Sequence, residues 1–166
     1  MRVRRWCLGL LAGATVLYLA LSPRIMVLEI DCEGNLAARA RASAGGTFQV
    51  SFLHSVEGIE VAGTFRIETD GSIRPLETSY PSFGAGLEAI SPWENHSITE
   101  GTMILRVEAE AMEEILFRSQ HFTKHRFTMG SMSVPLGPQE GTLALVSVRT
   151  RRIPWHEFLL DRPRQG

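Results

Sequence analysis

Apolar and polar residues alternate along much of the chain, which is the pattern of a β-strand with one buried face. The alternation is clearest in residues 59–69, where one face is apolar or small and the other carries Glu, Thr and Arg. Asp70-Gly71 is a strong hairpin signal leading into a strand at 73–80, in which Pro75 predicts an edge or a bulge. The other predicted strands are 25–31, 47–54, 102–111, 115–117, 125–129 and 142–149.

Seven or eight short strands with no alternating helices predict an all-β fold, either an antiparallel β-sandwich or a small barrel. Residues 36–46 fit a strand or a loop equally well, and a helix competes with strand over 108–119. Residues 82–101 predict a long surface loop and residues 134–141 a turn region. The tail after Thr150 is expected to be loose.

The N-terminus has the form of an export signal. Arg2, Arg4 and Arg5 precede the uncharged run 6–21, which predicts one transmembrane or signal helix before the β-domain. Pro23 disfavours cleavage after the run and so favours a signal anchor. A helix of about 24 Å is short for a bilayer core of about 30 Å, which keeps a cleaved signal peptide open. Of the two, the anchor is favoured.

The excess of arginine before the run orients the N-terminus toward the cytoplasm. We therefore expect an inner-membrane protein with a single pass and an extracytoplasmic domain. Its predicted parts are a signal anchor or signal peptide (1–24), a β-domain (25–150) and a basic C-terminal tail (151–166).

The amino-acid composition indicates which classes of partner and cofactor to expect. Seventeen basic and eighteen acidic residues give a net charge of −1, so no general attraction to nucleic acid is expected. The two cysteines, Cys7 and Cys32, lie in the apolar run and after the first strand, and no disulfide framework is predicted. His121 and His125 lack a third ligand nearby and are interpreted as two exposed histidines. No metal or other cofactor is expected.

Two blocks hold the candidate chemistry. His54 ends the strand 47–54 in line with three apolar side chains, and Ser55 and Glu57 follow it. The second block, 77–88, begins with Glu77 and closes on a glycine-containing turn. The candidate contact residues are His54, Ser55, Glu57, Glu77, Ser82, Phe83, Gly84 and Gly86. They predict a polar pocket at one end of a sheet, and the competing interpretation is a histidine that is hydrogen-bonded for structure alone.

At these residues the chain resembles the bacterial domain-of-unknown-function family 1850. The matching residues are a strand ending in His-Ser-Val at 54–56 and the sequence Ser-Phe-Gly-Ala-Gly-Leu at 82–87. Residues 62–64 depart from the pattern, because family members carry one or two acidic residues there. The family has no established activity, and the resemblance implies a small exported protein, often encoded beside TRAP-type transporters with TAXI-type binding proteins.

Three functions follow as expectations. The first is a membrane-anchored, non-catalytic accessory or assembly factor of such a transporter, in contact with its permease or its binding protein. The second is a secreted module that binds a small anion at His54 and Arg66. The third is a hydrolase with Ser82 as nucleophile and His54 as base, although the sequence around Ser82 lacks the turn that such nucleophiles occupy.

Overall fold

The computed structural model describes residues 13–18, 22–56, 58–81, 96–99, 101–138 and 143–160. Within these residues, β-strands form two antiparallel sheets. The strands are β1 (Arg24–Cys32), β2 (Asn35–Arg41), β3 (Thr47–Leu53), β4 (Glu60–Ile67), β5 (Ile73–Tyr80), β6 (His96–Thr99), β7 (Thr102–Arg106), β8 (Glu114–Ser119), β9 (Arg126–Met129), β10 (Met132–Pro135) and β11 (Ala144–Pro154). A short 3-10 helix, His121–Thr123, precedes β9, and an α-helix, Trp155–Leu160, follows β11.

The two sheets face each other across one main core. The smaller sheet has the order β2-β1-β11-β8 and the larger the order β10-β9-β3-β4-β5-β7-β6. Buried side chains from both sheets meet between them, including Leu28 and Val148 of the smaller sheet and Phe48, Ile67 and Phe127 of the larger. The predicted antiparallel all-β fold is confirmed. Over the described residues both sheets end at open edge strands, so the small-barrel alternative is wrong.

The first and last strands are partners in the middle of the smaller sheet. β1 and β11 pair without interruption from Arg24↔Pro154 to Cys32↔Val146. Residues 151–154 therefore belong to a central strand and residues 155–160 to a helix, and the expectation of a loose tail after Thr150 is wrong for them. The boundary predicted at residue 150 lies inside β11.

Pro75 marks a bulge, as predicted. Thr64 pairs with Glu77 while the next residue of β4, Phe65, pairs with Pro75, so Leu76 is an extra residue on β5. The Leu76 carbonyl accepts a hydrogen bond from Val107 N at 2.8 Å. The proline, which has no N–H to donate, thus sits where the ladder is already irregular.

The pattern of apolar and polar residues did not predict every strand correctly. The segment 36–46, for which strand and loop were both open, contains the strand β2. Residues 114–119, where a helix competed with a strand, form the strand β8. Two strands of four residues were missed, because β6 lies in the predicted loop 82–101 and β10 overlaps the predicted turn region 134–141. β7 ends at Arg106, five residues before the predicted end of that strand.

A buried ion cluster lies on the face of the smaller sheet that points away from the core. Glu29 is 3% exposed, and its Oε1 accepts from Arg39 Nη2 at 2.6 Å and from Arg39 Nε at 3.0 Å. Arg151 Nη1 lies 3.3 Å from Glu29 Oε2. Glu157 of the C-terminal helix lies 3.7 Å from Arg39, so this helix covers the same face. Strands β1, β2 and β11 and the helix thus share one electrostatic cluster.

The described part of the N-terminal run, residues 13–18, is helical and exposed. Among the described residues, no helix is long and apolar enough to cross a membrane. The rest of the predicted span, residues 6–12 and 19–21, lies outside the described residues.

Replacing Arg39 with Ala is expected to lower the free energy of unfolding by about 3–5 kcal/mol, because Glu29 would keep its charge in a buried site without its main partner. Urea unfolding of the purified chain, followed by circular dichroism, measures this loss. Arg41, on the same strand and exposed, provides the matched control, and Arg41→Ala is expected to change stability by no more than about 0.5 kcal/mol. Equal effects of the two substitutions would contradict the structural role assigned to the cluster.

Candidate functional site

His54 lies immediately after β3 and closes the connection to β4. Its backbone N donates to Ile59 O at 2.8 Å, and its carbonyl accepts from Gly58 N at 2.8 Å. Gly58 has a φ of 66°, in the left-handed region that glycine adopts at low cost. The loop is therefore tight, and the alternation along β3 places His54 on the same face as Phe52.

The imidazole of His54 contains a buried polar atom that has no hydrogen-bond partner among the described residues. Its Nδ1 is buried and makes no hydrogen bond with any described residue. Most buried polar atoms in proteins are hydrogen-bonded, so an exception calls for a partner or a function. The next residues turn outward, since Ser55 is exposed and Val56 is 72% exposed. Glu57 lies outside the described residues.

The strand register gathers several strand ends beside His54. Leu53 of β3 pairs with Glu60 of β4, and Tyr80 of β5 pairs with Met103 of β7. We call this the His54 end of the larger sheet, which consists of residues 53–56, 58–60, 80–81, 98–99 and 101–102. A small apolar cluster supports it, formed by the buried residues Val61, Tyr80 and Met103 with Phe52 and Ile59 packed against them.

Glu77 does not join His54. It pairs with Thr64 on one side and Arg106 on the other, several residues along the sheet from the His54 end. The alternation of β5 also puts Glu77 on the solvent-facing side of the sheet, because Tyr80 faces the apolar cluster. The structure therefore does not form the predicted pocket of His54 with Glu77. Ser82, Phe83, Gly84 and Gly86 lie outside the described residues.

The proposed anion pair is also separated. Arg66 pairs with Thr47 at the start of β3, whereas His54 follows the end of that strand, so roughly 20 Å of strand lies between them. Arg66 Nη2 donates to Glu68 Oε1 at 2.9 Å, and Arg74 Nε donates to the same oxygen at 2.7 Å. These two arginines hold the pKa of the Glu68 carboxyl below its ordinary value. Arg66 is thus engaged in a surface ion network at the other end of β3 from His54.

An open cleft of about 480 Å³ lies beside the bulge of β5, where β7 ends. It is lined by Arg74, Pro75, Leu76 and residues 106–110. The guanidinium of Arg74 is occupied there, since its Nη1 donates to Ala109 O at 3.0 Å. Neither His54 nor Glu77 lines this cleft, so it is separate from the His54 end.

His125 is the histidine whose surroundings the sequence did not reveal. It is half-buried rather than exposed, stacked between Phe52 and Phe117 with ring centroids 5.3 and 5.0 Å away. Its Nδ1 lies 2.7 Å from Thr123 Oγ1 and 3.1 Å from Ser119 Oγ. Phe52 and Phe117 lie on β3 and β8, which belong to different sheets. The stacking itself depends on how the two sheets face each other.

The hydrogen bonds around His125 fix its tautomer. Ser119 Oγ donates to Leu136 O at 2.9 Å, and Thr123 Oγ1 donates to Gln120 O at 2.7 Å. Because both hydroxyl hydrogens are committed to carbonyls, Nδ1 must be the N–H donor and Nε2 carries the lone pair. Ser119 is fully buried with its hydrogen directed away from the imidazole, so this pair lacks the geometry of an activated serine.

Cys32 is a free, half-buried cysteine, as predicted. Burial raises the pKa of its thiol. Since the thiolate is the reactive form, this cysteine is suited to packing rather than to nucleophilic chemistry.

The larger sheet ends at an exposed strand. β6 pairs with β7 on one side and is the edge strand of the described sheet. All four of its residues are exposed, and Ile98 is 63% exposed. Such an edge presents backbone N–H and C=O groups on which an added strand can pair. Its end, 98–99, belongs to the His54 end.

Acidification is expected to destabilise the fold through His125. Burial lowers the pKa of this imidazole from its ordinary value of 6.5. As the pH falls below 6.5 the unfolded chain therefore takes up a proton that the folded chain does not, and stability falls until His125 is protonated in the folded state as well. The melting temperature of wild type is thus expected to drop more between pH 7.5 and pH 5 than that of His125→Gln.

The matched control for this prediction is His121→Gln, because His121 is exposed. The melting temperature of His121→Gln is expected to depend on pH in the same way as that of wild type. If His125→Gln also keeps the wild-type pH dependence, then His125 is not the titrating group.

Comparison with known proteins places the chain in a family. Residues 48–136 match the model of the family described as Domain of unknown function (DUF1850). No curated protein and no solved structure matches the chain. The match runs from β3 to Leu136 and so includes the His54 end, whereas β1, β2 and β11 lie outside it. Because the match spans more than half of the chain, the protein belongs to the DUF1850 family.

Proposed function

We propose that this protein is a membrane-anchored, extracytoplasmic, non-catalytic accessory or assembly factor of a TRAP-type transporter with a TAXI-type binding protein. In this proposal the His54 end of the larger sheet contacts the partner protein. The observation that carries it is the exposed β6, the edge strand of the described sheet, on which Ile98 is 63% exposed. An edge strand with an exposed apolar side chain is a feature of protein contact sites. Val56 is also exposed at the His54 end, but β4, β5 and β7 lie between it and β6.

The anchor is supported by apolar surface that the domain leaves uncovered. Val16, Leu17 and Tyr18 are helical and each is more than half exposed. They belong to the uncharged run that follows Arg2, Arg4 and Arg5. A lipid bilayer is the environment that buries such a helix at lowest cost, and the arginines retain the N-terminus on the cytoplasmic side.

The mode of contact proposed for β6 is strand addition. Ser97, Ile98 and Thr99 include none of the lysines or prolines with which proteins commonly block an exposed edge. A partner strand laid along this edge gains main-chain hydrogen bonds, and Ile98 supplies an apolar contact. The Nδ1 of His54, which has no hydrogen-bond partner in the part of the chain that the structure describes, is a further polar group that a bound partner can satisfy.

The identity of the partner rests on the family resemblance, which implies a setting beside TAXI-type TRAP transporters. Anchoring in the same membrane raises the effective concentration of the domain at such a partner, so a contact as small as one short strand is sufficient. A permease or its binding protein is therefore the partner that we propose.

The test is co-purification of the tagged full-length protein from its native membrane in a gentle detergent. We expect a TRAP permease or a TAXI binding protein to accompany wild type and to be lost from Ile98→Lys, because the lysine places a charge at the proposed contact. The matched control is Leu116→Lys, since Leu116 is 59% exposed on β8, an edge strand of the other sheet. This variant is expected to retain the partner.

Two results would count against the proposal. One is recovery of wild type without either transporter component. The other is equal recovery of the partner with Ile98→Lys and with wild type, which would remove β6 from the contact. Circular dichroism of both variants separates loss of binding from loss of folding.

A further inference from the structure

The C-terminal helix lies at the point where the N-terminal apolar run enters the fold. Trp155 N donates to Pro23 O at 3.1 Å, and Ser22 Oγ is 3.1 Å from His156 Nδ1. β1 begins opposite the end of β11, through the pair Arg24↔Pro154. Any membrane that holds the apolar run is therefore adjacent to this helix.

The helix leaves apolar surface uncovered at that position. Leu159 is 58% exposed and Leu160 is 82% exposed, whereas Trp155 is half-buried. Glu157, 3.7 Å from Arg39, fixes the helix to the ion cluster on the smaller sheet. The two leucines thus form an apolar tip on a helix whose other contacts hold it in place.

Exposed arginines lie at the end of the smaller sheet where this helix begins. Val27 is paired with Arg41 on one side and Arg151 on the other, and its neighbour Met26 is paired with Arg152. These three arginines and Arg24 at the start of β1 are exposed. The end of the smaller sheet beside the apolar run therefore carries a basic rim.

We propose that this surface docks on an anionic lipid bilayer, the one in which the N-terminal run is anchored. Leu159 and Leu160 enter the interface, Trp155 lies at headgroup level, and Arg24 and Arg41 contact lipid phosphates. Apolar side chains beside basic ones are the combination that holds a helix at a membrane surface. The inference rests on the proposed anchor and is independent of the transporter.

Docking would also determine whether the His54 end faces toward or away from the bilayer. Thr150 donates through its hydroxyl to Gly71 O, and Arg152 Nη2 donates to Thr69 O at 3.3 Å. The β4–β5 turn thus lies near the basic rim, and the His54 end is at the opposite end of β4, about 23 Å away along the strand. The proposed partner contact then faces away from the bilayer, which favours a binding protein or an extracytoplasmic loop over a membrane-embedded surface.

The test uses the full-length chain in vesicles of phosphatidylcholine and phosphatidylglycerol with brominated acyl chains. The sequence has three tryptophans, and Trp6→Phe with Trp93→Phe leaves Trp155 as the reporter. We expect its fluorescence to be quenched in brominated vesicles. Replacing Leu159 and Leu160 with Asp is expected to reduce that quenching at least about twofold, because the apolar tip no longer enters the interface.

The matched control replaces Leu116 and Leu145 with Asp, since both are exposed on strands of the same sheet. Its quenching is expected to equal that of the parent. Flotation of every variant with the vesicles reports the anchor separately, so failure of the wild type to float would overturn the proposed anchor. Flotation without quenching of Trp155, or quenching that persists in the double Asp variant, would overturn the docking proposal.

Discussion

One buried carboxylate imposes the strictest requirement on this fold. Glu29 is 3% exposed on β1, and its charge is compensated by Arg39 of β2 and Arg151 of β11. A buried charge without partners destabilises a protein by several kcal/mol, so β1, β2 and β11 must assemble together. Leu28 and Ile30, the neighbours of Glu29, point to the opposite face and pack in the main core. The larger sheet, with its His54 end, thus packs against a smaller sheet whose outer face is stabilised by the ion pairs of Glu29.

Local pattern predicted the strands that carry a one-sided apolar face. β1, β3 and β4 alternate, Asp70-Gly71 and Pro75 marked the hairpin into β5 and its bulge, and β11 was predicted at 142–149 as a strand that is apolar on both faces. β2 was ambiguous because its buried face is made of alanines, which are also common on surfaces. β6 and β10 were missed because a strand of four residues holds few alternating positions, whereas β9, of the same length, was predicted at 125–129. Residues 151–154 were misjudged because they pair with β1 at the far end of the chain. The helix 155–160 was missed because its contacts, such as Trp155 N with Pro23 O, are also with residues distant in sequence.

The sequence predicted where His54 lies in the fold, but not which side chains lie near it. His54 does end a strand beside an apolar cluster, as the sequence implied. Glu77 and Arg66 were assigned to it because they are polar and near in sequence, whereas register puts both elsewhere on the sheet. Ser119 Oγ, which lies beside the Nδ1 of His125, donates to Leu136 O of another segment, and tertiary hydrogen bonding of this kind has no signature in sequence.

The pairing of the first strand with the last has a kinetic consequence. Because a chain is synthesised from its N-terminus, β1 is made first and β11 last, so β1 must wait for its central partner until nearly the whole domain has been made. Folding dominated by contacts so distant in sequence is slow, and unpaired strands are prone to aggregation in the meantime. The family match, 48–136, contains most of the strands that can pair earlier. The larger sheet is therefore positioned to form first, and the smaller sheet to close over it as the final step of biogenesis.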